Sequence, residues 1–92
     1  MIVRIMGEGQ YRLDAEHLGH INAIDERLTR ALESGDRAAF DAEFPLLVGH
    51  IRKHGEPVSA GELVASEVVI PPADAGFEEV RGLLRADGLV PG

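Results

Sequence analysis

Four histidines are the side chains of this 92-residue sequence that could hold a metal ion. His17 and His20 are three residues apart and His50 and His54 are four apart, so each pair shares one side of a predicted helix. An antiparallel hairpin that reverses at Gly35 would place His17 level with His54 and His20 level with His50. On a helical wheel His17 and His54 lie nearer the apolar stripes, and His20 and His50 lie nearer solvent. The spacing matches neither a zinc-protease nor a zinc-finger pattern, so we predict no metal site and no cofactor and keep these four as the only candidates.

The other polar residues do not form a catalytic constellation. The hydroxyl side chains have no predicted neighbouring base and orienting acid; they are Thr29, Ser34, Ser59 and Ser66. Adjacent carboxylates are expected on exposed helix faces, whereas general acid–base catalysis needs a desolvated pocket; they are Asp25–Glu26, Asp41 with Glu43, and Glu78–Glu79. The two glycines of Gly7–Gly9 predict a hairpin turn and not a phosphate-binding loop, because a strand follows them. We therefore predict no catalytic residue and no enzyme activity.

Charge and composition exclude several classes of protein. The formal net charge of -7 disfavours nucleic acid as a partner, and no apolar run reaches the length of a membrane span, so no direct membrane insertion is expected. The absence of cysteine fits a cytoplasmic protein. Residues 55–92 hold seven acids and two bases, a net of -5. This acidic part is either a solvated face or a docking surface for a basic partner, and the predicted partner-binding residues are Glu62, Glu67, Glu78 and Glu79.

The elements predict one α+β domain over residues 1–92. Residues 1–6 and 10–13 form a hairpin of strands, and residues 67–70 form a third strand before two prolines. The first strand is apolar on both faces and should be central, whereas the second has a polar face and should be an edge. An exposed edge of this kind permits a homodimer by strand addition.

Two antiparallel helices and a last helix should cover one face of this three-stranded sheet. Asp14, Asp36 and Asp74 are the expected N-caps, and Gly35 should end the first helix in a left-handed conformation. Pro45 should kink or break the second helix. The apolar stripe of the last helix is predicted to contain Phe77, Val80, Leu83 and Leu84, with Gly88 ending the helix and residues 89–90 folding back on it.

Several segments together resemble one protein family. The start, Met1 to Leu13, the Gly35–Asp36 junction, the segment Ser66 to Asp74 and the end, Gly88 to Gly92, look like the PspA-associated protein family, PspAA. The resemblance covers nearly the whole chain and implies association with the PspA envelope-stress (phage-shock) system. PspA itself is a helical, membrane-remodelling protein, so the implied partner is helical and the implied location is cytoplasmic, membrane-peripheral through that partner. The family has no catalytic residues to carry over.

Two functions stay open from the sequence. The first is a non-enzymatic interaction module that binds PspA or a related coiled coil. The alternative is a small sensor domain that binds a metal or another ligand through the histidines of the helical hairpin.

Overall fold

The computed structural model describes residues 1–62 and 64–84 of the chain. The strands are β1 (Ile2–Ile5), β2 (Gly9–Arg12), β3 (Glu56–Pro57) and β4 (Val68–Ile70). The helices are α1 (Leu18–Ser34), α2 (Arg37–His54) and α3 (Phe77–Gly82), and a single 3-10 turn, Ala15–His17, leads into α1. The α+β class is therefore confirmed.

The four strands of this region form one mixed sheet in the order β3-β2-β1-β4. β1 is central as predicted, antiparallel to β2 and parallel to β4. The β1–β2 turn is possible because Gly7 and Gly9 have φ values of 77° and 144°, which side chains disfavour.

The prediction that the second strand is an edge is wrong. β2 is covered by β3, with Tyr11 opposite Pro57 and Arg12 opposite Glu56. The sequence predicts three strands where four form, because a two-residue strand that contains proline has no alternating pattern to detect.

The described residues between β3 and β4, 58–62 and 64–67, lie over the outer face of the sheet. Both strands lie at the ends of the strand order, so their connection must pass β2 and β1. The helices occupy the inner face, and the loop runs over the other one. There the Gln10 amide donates to the Val64 carbonyl oxygen (3.0 Å) and to Ser66 Oγ (2.7 Å).

The core joins the inner face of the sheet to all three helices. Val3, Ile5, Val68 and Ile70 of the sheet are buried in one cluster with Leu28, Leu32, Leu47, Ile51, Phe77 and Val80. The partly buried Leu84 packs against this cluster, as predicted for the stripe of the last helix.

The helical hairpin forms much as predicted. Gly35 ends α1 with φ 73°, and the Asp36 carboxylate accepts from the backbone N–H of Ala39 (3.0 Å) as the N-cap of α2. α2 continues through Pro45 to His54, so the predicted break does not occur.

The burial of Asp25 contradicts its assignment to the exposed face. Asp25 is 4% exposed, and its spacing of four from Ile21 and three from Leu28 puts it on the apolar stripe of α1.

Three local predictions for the helix ends and the last stripe are wrong. Asp14 makes no side-chain cap, because a 3-10 turn separates it from α1. α3 begins later than predicted, with Gly76 at its N-cap position, and Asp74 lies in the preceding turn. α3 is also short, so Leu83 lies past its end and is 45% exposed. The predictions for Gly88 and residues 89–90 lie outside the described residues.

Candidate functional site

The four histidines form one continuous cluster across α1 and α2. The His17 and His54 rings stack with centroids 4.8 Å apart, and the His20 and His50 rings stack at 4.5 Å. The two levels predicted from helical spacing are confirmed. His50 joins them, because its ring lies 4.5 Å from that of His54 and 5.2 Å from that of His17.

The exposure of the histidines departs from the helical-wheel prediction at two positions. His50 is half-buried, whereas His54 is exposed, the reverse of their predicted order. The reason is position: His50 lies among the rings of the other three histidines, while His54 is the last residue of α2. His17 and His20 keep their predicted order, half-buried and exposed respectively.

A direct nitrogen contact lies at the centre of the cluster. Nε2 of His50 is 3.2 Å from Nδ1 of His17, so one ring donates and the other accepts. Burial lowers the pKa of His50, and the charges of the other histidines and of Lys53 lower it further. His50 is therefore held in its neutral form, which is the form that binds metal ions.

The cluster does not form a complete metal site as its side chains stand. Within residues 1–62 and 64–84, no three His, Cys, Asp or Glu side chains converge as metal ligands would. An open groove runs beside the cluster between the two helices, where Pro45, Leu46 and Gly49 meet His20 and His50. Leu46 is 52% exposed in this groove.

Two of the predicted partner-binding acids already interact within the chain. Glu62 accepts from the Arg12 guanidinium (3.1 Å), and a Glu67 carboxylate oxygen accepts from the backbone N–H of Ile2 (3.3 Å). Since Ile2 and Arg12 are opposite each other in the sheet, both acids lie at the same end of it. The sequence offered no local use for either acid, because their partners are 50 and 65 residues away.

The other two predicted acids lie on α3. Glu78 accepts from Arg37 (2.7 Å), and the same guanidinium stacks over the Phe77 ring at 4.4 Å from its centroid. Glu79 is exposed. Glu62 and Glu67 are thus joined to the sheet and Glu78 to the start of α2, so three of the four acids are held, and by two different parts of the fold.

A further charged cluster was not predicted from the sequence. Glu8, in the β1–β2 turn, accepts from Arg52 of α2 and from the Tyr11 hydroxyl (2.6 Å). The hydrogen bonds from Arg52 and Tyr11 lower the pKa of Glu8 to about 2, and the Glu8 carboxylate raises the pKa of Tyr11. This cluster fastens the sheet to the helical hairpin across 44 residues of sequence.

Two of the four hydroxyl side chains have structural uses. Ser66 accepts from the Gln10 amide, and Ser34 donates to the Ala31 carbonyl oxygen at 3.5 Å. A serine nucleophile needs a histidine beside it as a base. Among the described residues, neither Ser34 nor Ser66 has a histidine partner.

This chain thus has a small mixed sheet packed on a helical hairpin, with a histidine cluster on the hairpin and the four predicted contact acids outside it. The family model of PspAA, PspA-associated protein, matches residues 1–92, and the chain belongs to this family. The resemblance predicted from the sequence is confirmed, and with it an association with PspA-related systems; the family is not one of known enzymes. No curated protein and no solved structure matches the chain significantly. Over the described residues, no helix is both long and apolar enough to span a bilayer.

Proposed function

We propose that this chain is a non-enzymatic protein-interaction module that binds PspA or a related helical protein. The observation that carries the proposal is the match of the PspA-associated family to all 92 residues. A cytoplasmic location, membrane-peripheral through the partner, follows from this proposal.

The net charge supports a basic contact surface on the partner. At -7 the chain attracts a basic helix over a distance of about one Debye length, roughly 8 to 10 Å at physiological salt. Such steering acts mainly on the association rate. Glu62, Glu67, Glu78 and Glu79 are the proposed contacts.

Glu79 is the acid whose substitution best separates an effect on binding from an effect on folding. Replacing Glu62, Glu67 or Glu78 also removes a hydrogen bond inside the chain, which mixes folding with binding. Glu79 is exposed on α3, and no ion pair is seen for it among the described residues. Its reversal therefore changes the surface charge with little change in the fold.

The experiment measures association of the chain with its PspA-family protein at several salt concentrations. The Glu79→Lys variant is compared with Glu33→Lys, which makes the same charge change at an exposed position on α1. We expect Glu79→Lys to slow association roughly three- to tenfold at low salt and to flatten the salt dependence, with a smaller effect from Glu33→Lys. Absence of binding to the parent chain at low salt would contradict the proposed function. Equal effects of the two variants would contradict only the proposed surface.

A further inference from the structure

We propose that the histidine cluster binds a divalent transition-metal ion, with His17 Nδ1 and His50 Nε2 as the first two ligands and His54 as the third. The site would join α1 to α2. It is independent of the proposed association with PspA, since it uses none of the acids proposed for that contact.

The distance between two ring nitrogens carries the proposal. In a tetrahedral site with metal–nitrogen bonds of about 2.0–2.1 Å, two nitrogen ligands are about 3.3 Å apart. Nδ1 of His17 and Nε2 of His50 are 3.2 Å apart. They belong to different helices, so folding of the hairpin already brings two ligands to chelating distance. On binding, the ion takes the place of the hydrogen that the two rings share, and the ring that carried this hydrogen becomes protonated at its other nitrogen through exchange with solvent, so both rings stay neutral.

The third ligand is provided by helical spacing. His54 is one turn beyond His50 on α2, so the two rings lie on the same side of the helix. Its ring lies 4.5 Å from that of His50 and 4.8 Å from that of His17, measured between centroids. His54 is exposed, so its ring can rotate towards the ion without disturbing the core. This rotation is what the structure still needs, because three ligands do not yet converge.

The surroundings of the two inner histidines suit metal binding. The Glu16 carboxylate lies 3.9 Å from Nε2 of His17, on the side of the ring opposite the proposed ligand atom. At this distance the carboxylate makes no hydrogen bond, but the Glu16 side chain is exposed and a small rotation brings it to the ring N–H, the arrangement that orients many metal-bound imidazoles. With imidazoles as ligands and no thiolate in the chain, the chemistry favours zinc, nickel or copper over magnesium or calcium.

His20 gives the matched control. It stacks on His50 at 4.5 Å but is exposed and takes no part in the short nitrogen contact. Its removal changes the histidine count by one, as removal of His50 or His54 does. The proposed site therefore predicts unequal effects from chemically identical substitutions.

The test is a titration of the full chain with zinc chloride and with nickel chloride, followed by calorimetry and native mass spectrometry. We expect one ion per chain and a rise in the melting temperature with ion concentration, because the ion binds the folded chain. Affinity should fall at least roughly tenfold in His50→Gln and in His54→Gln, and less in His20→Gln. Metal-free thermal unfolding of each variant shows whether its fold is intact, and His54→Gln, at an exposed position, keeps the test valid if His50→Gln unfolds.

Two results would overturn the proposal. One is a parent chain that shows no saturable binding at millimolar zinc or nickel. The other is equal affinity loss in the His20, His50 and His54 variants, which indicates nonspecific binding by surface imidazoles. Neither result bears on PspA binding, which is measured without added metal.

Discussion

The helical hairpin and the outer face of the sheet differ in how their polar residues find partners. In the hairpin the contacts follow the helical repeat: the four histidines meet at the levels that their spacing of three and four predicts. On the sheet side, Gln10, Arg12 and Ile2 interact with residues 50 to 65 positions away. Helical spacing therefore predicts which side chains meet in the hairpin, whereas the contacts of the crossing loop depend on the final topology.

The largest expected effect is at Gly55, the residue between α2 and β3 where the two regions join. A Cβ atom there would lie 2.6 Å from the Ile51 carbonyl oxygen and 2.9 Å from Tyr11 Cβ, so backbone must move. We expect Gly55→Ala to lower the free energy of unfolding by about 2–3 kcal/mol, a typical cost of overpacking. Urea denaturation measures this value.

Gly49 provides the control for Gly55. It lies within α2, and a Cβ atom there has nothing within 4 Å. Gly49→Ala should raise the free energy of unfolding by about 0.5–1 kcal/mol through helix propensity. Similar effects of the two substitutions would mean that Gly55 is not a close approach between the hairpin and the sheet.

The second prediction concerns the loop that crosses the sheet. The Gln10 amide donates both to Val64 and to Ser66, so Gln10→Ala should cost about 1–2 kcal/mol for two partly buried hydrogen bonds. Hydrogen exchange should become faster in residues 58–62 and 64–66 and stay unchanged in α1 and α2. Arg4→Ala is the control, because Arg4 is opposite Gln10 in the sheet and exposed. If exchange in the loop is the same in both variants, Gln10 does not hold the loop on the sheet.

The same comparison explains which features the sequence could predict. The central position of β1, the reversal at Gly35 and the cap at Asp36 follow from residues adjacent in the chain, and all three are confirmed. The spacing of Asp25 from Ile21 and Leu28 indicates a buried position, but its charge favours an exposed assignment, and the structure shows it buried. β3 and the contact of Glu8 with Arg52 depend on where α2 ends against the sheet, and no local pattern marks them.

The third prediction compares two aspartates that look alike in the sequence. Both precede a helix, but only Asp36 accepts a hydrogen bond from the first turn of its helix; Asp74 lies in a turn two residues before the N-cap position of α3. Asp36→Ala should lower the free energy of unfolding by about 1 kcal/mol, the usual cost of losing a cap. Asp74→Ala should change it by less than about 0.5 kcal/mol, as at an ordinary surface position. Equal losses in thermal unfolding would place a second cap at Asp74.

The smallest effect is expected from the contact that fastens the sheet to the hairpin. The pKa of Glu8 is lowered to about 2 from 4.5, so between these values the unfolded chain binds the proton more strongly than the folded chain. The stability that Glu8 contributes is therefore complete above about pH 4.5 and is lost as the pH falls towards 2. Because the Arg52 side chain is 48% exposed, solvent screens this pair and the contribution stays below that of the Asp36 cap.

Glu8→Gln should remove this part of the acid dependence in urea denaturation between pH 7 and pH 2.5, whereas Glu33→Gln, at an exposed position of α1, should retain it. Identical acid profiles for Glu8→Gln and the parent chain would show that the contact does not persist in solution, and the attachment of the hairpin to the sheet would then rest on the apolar core.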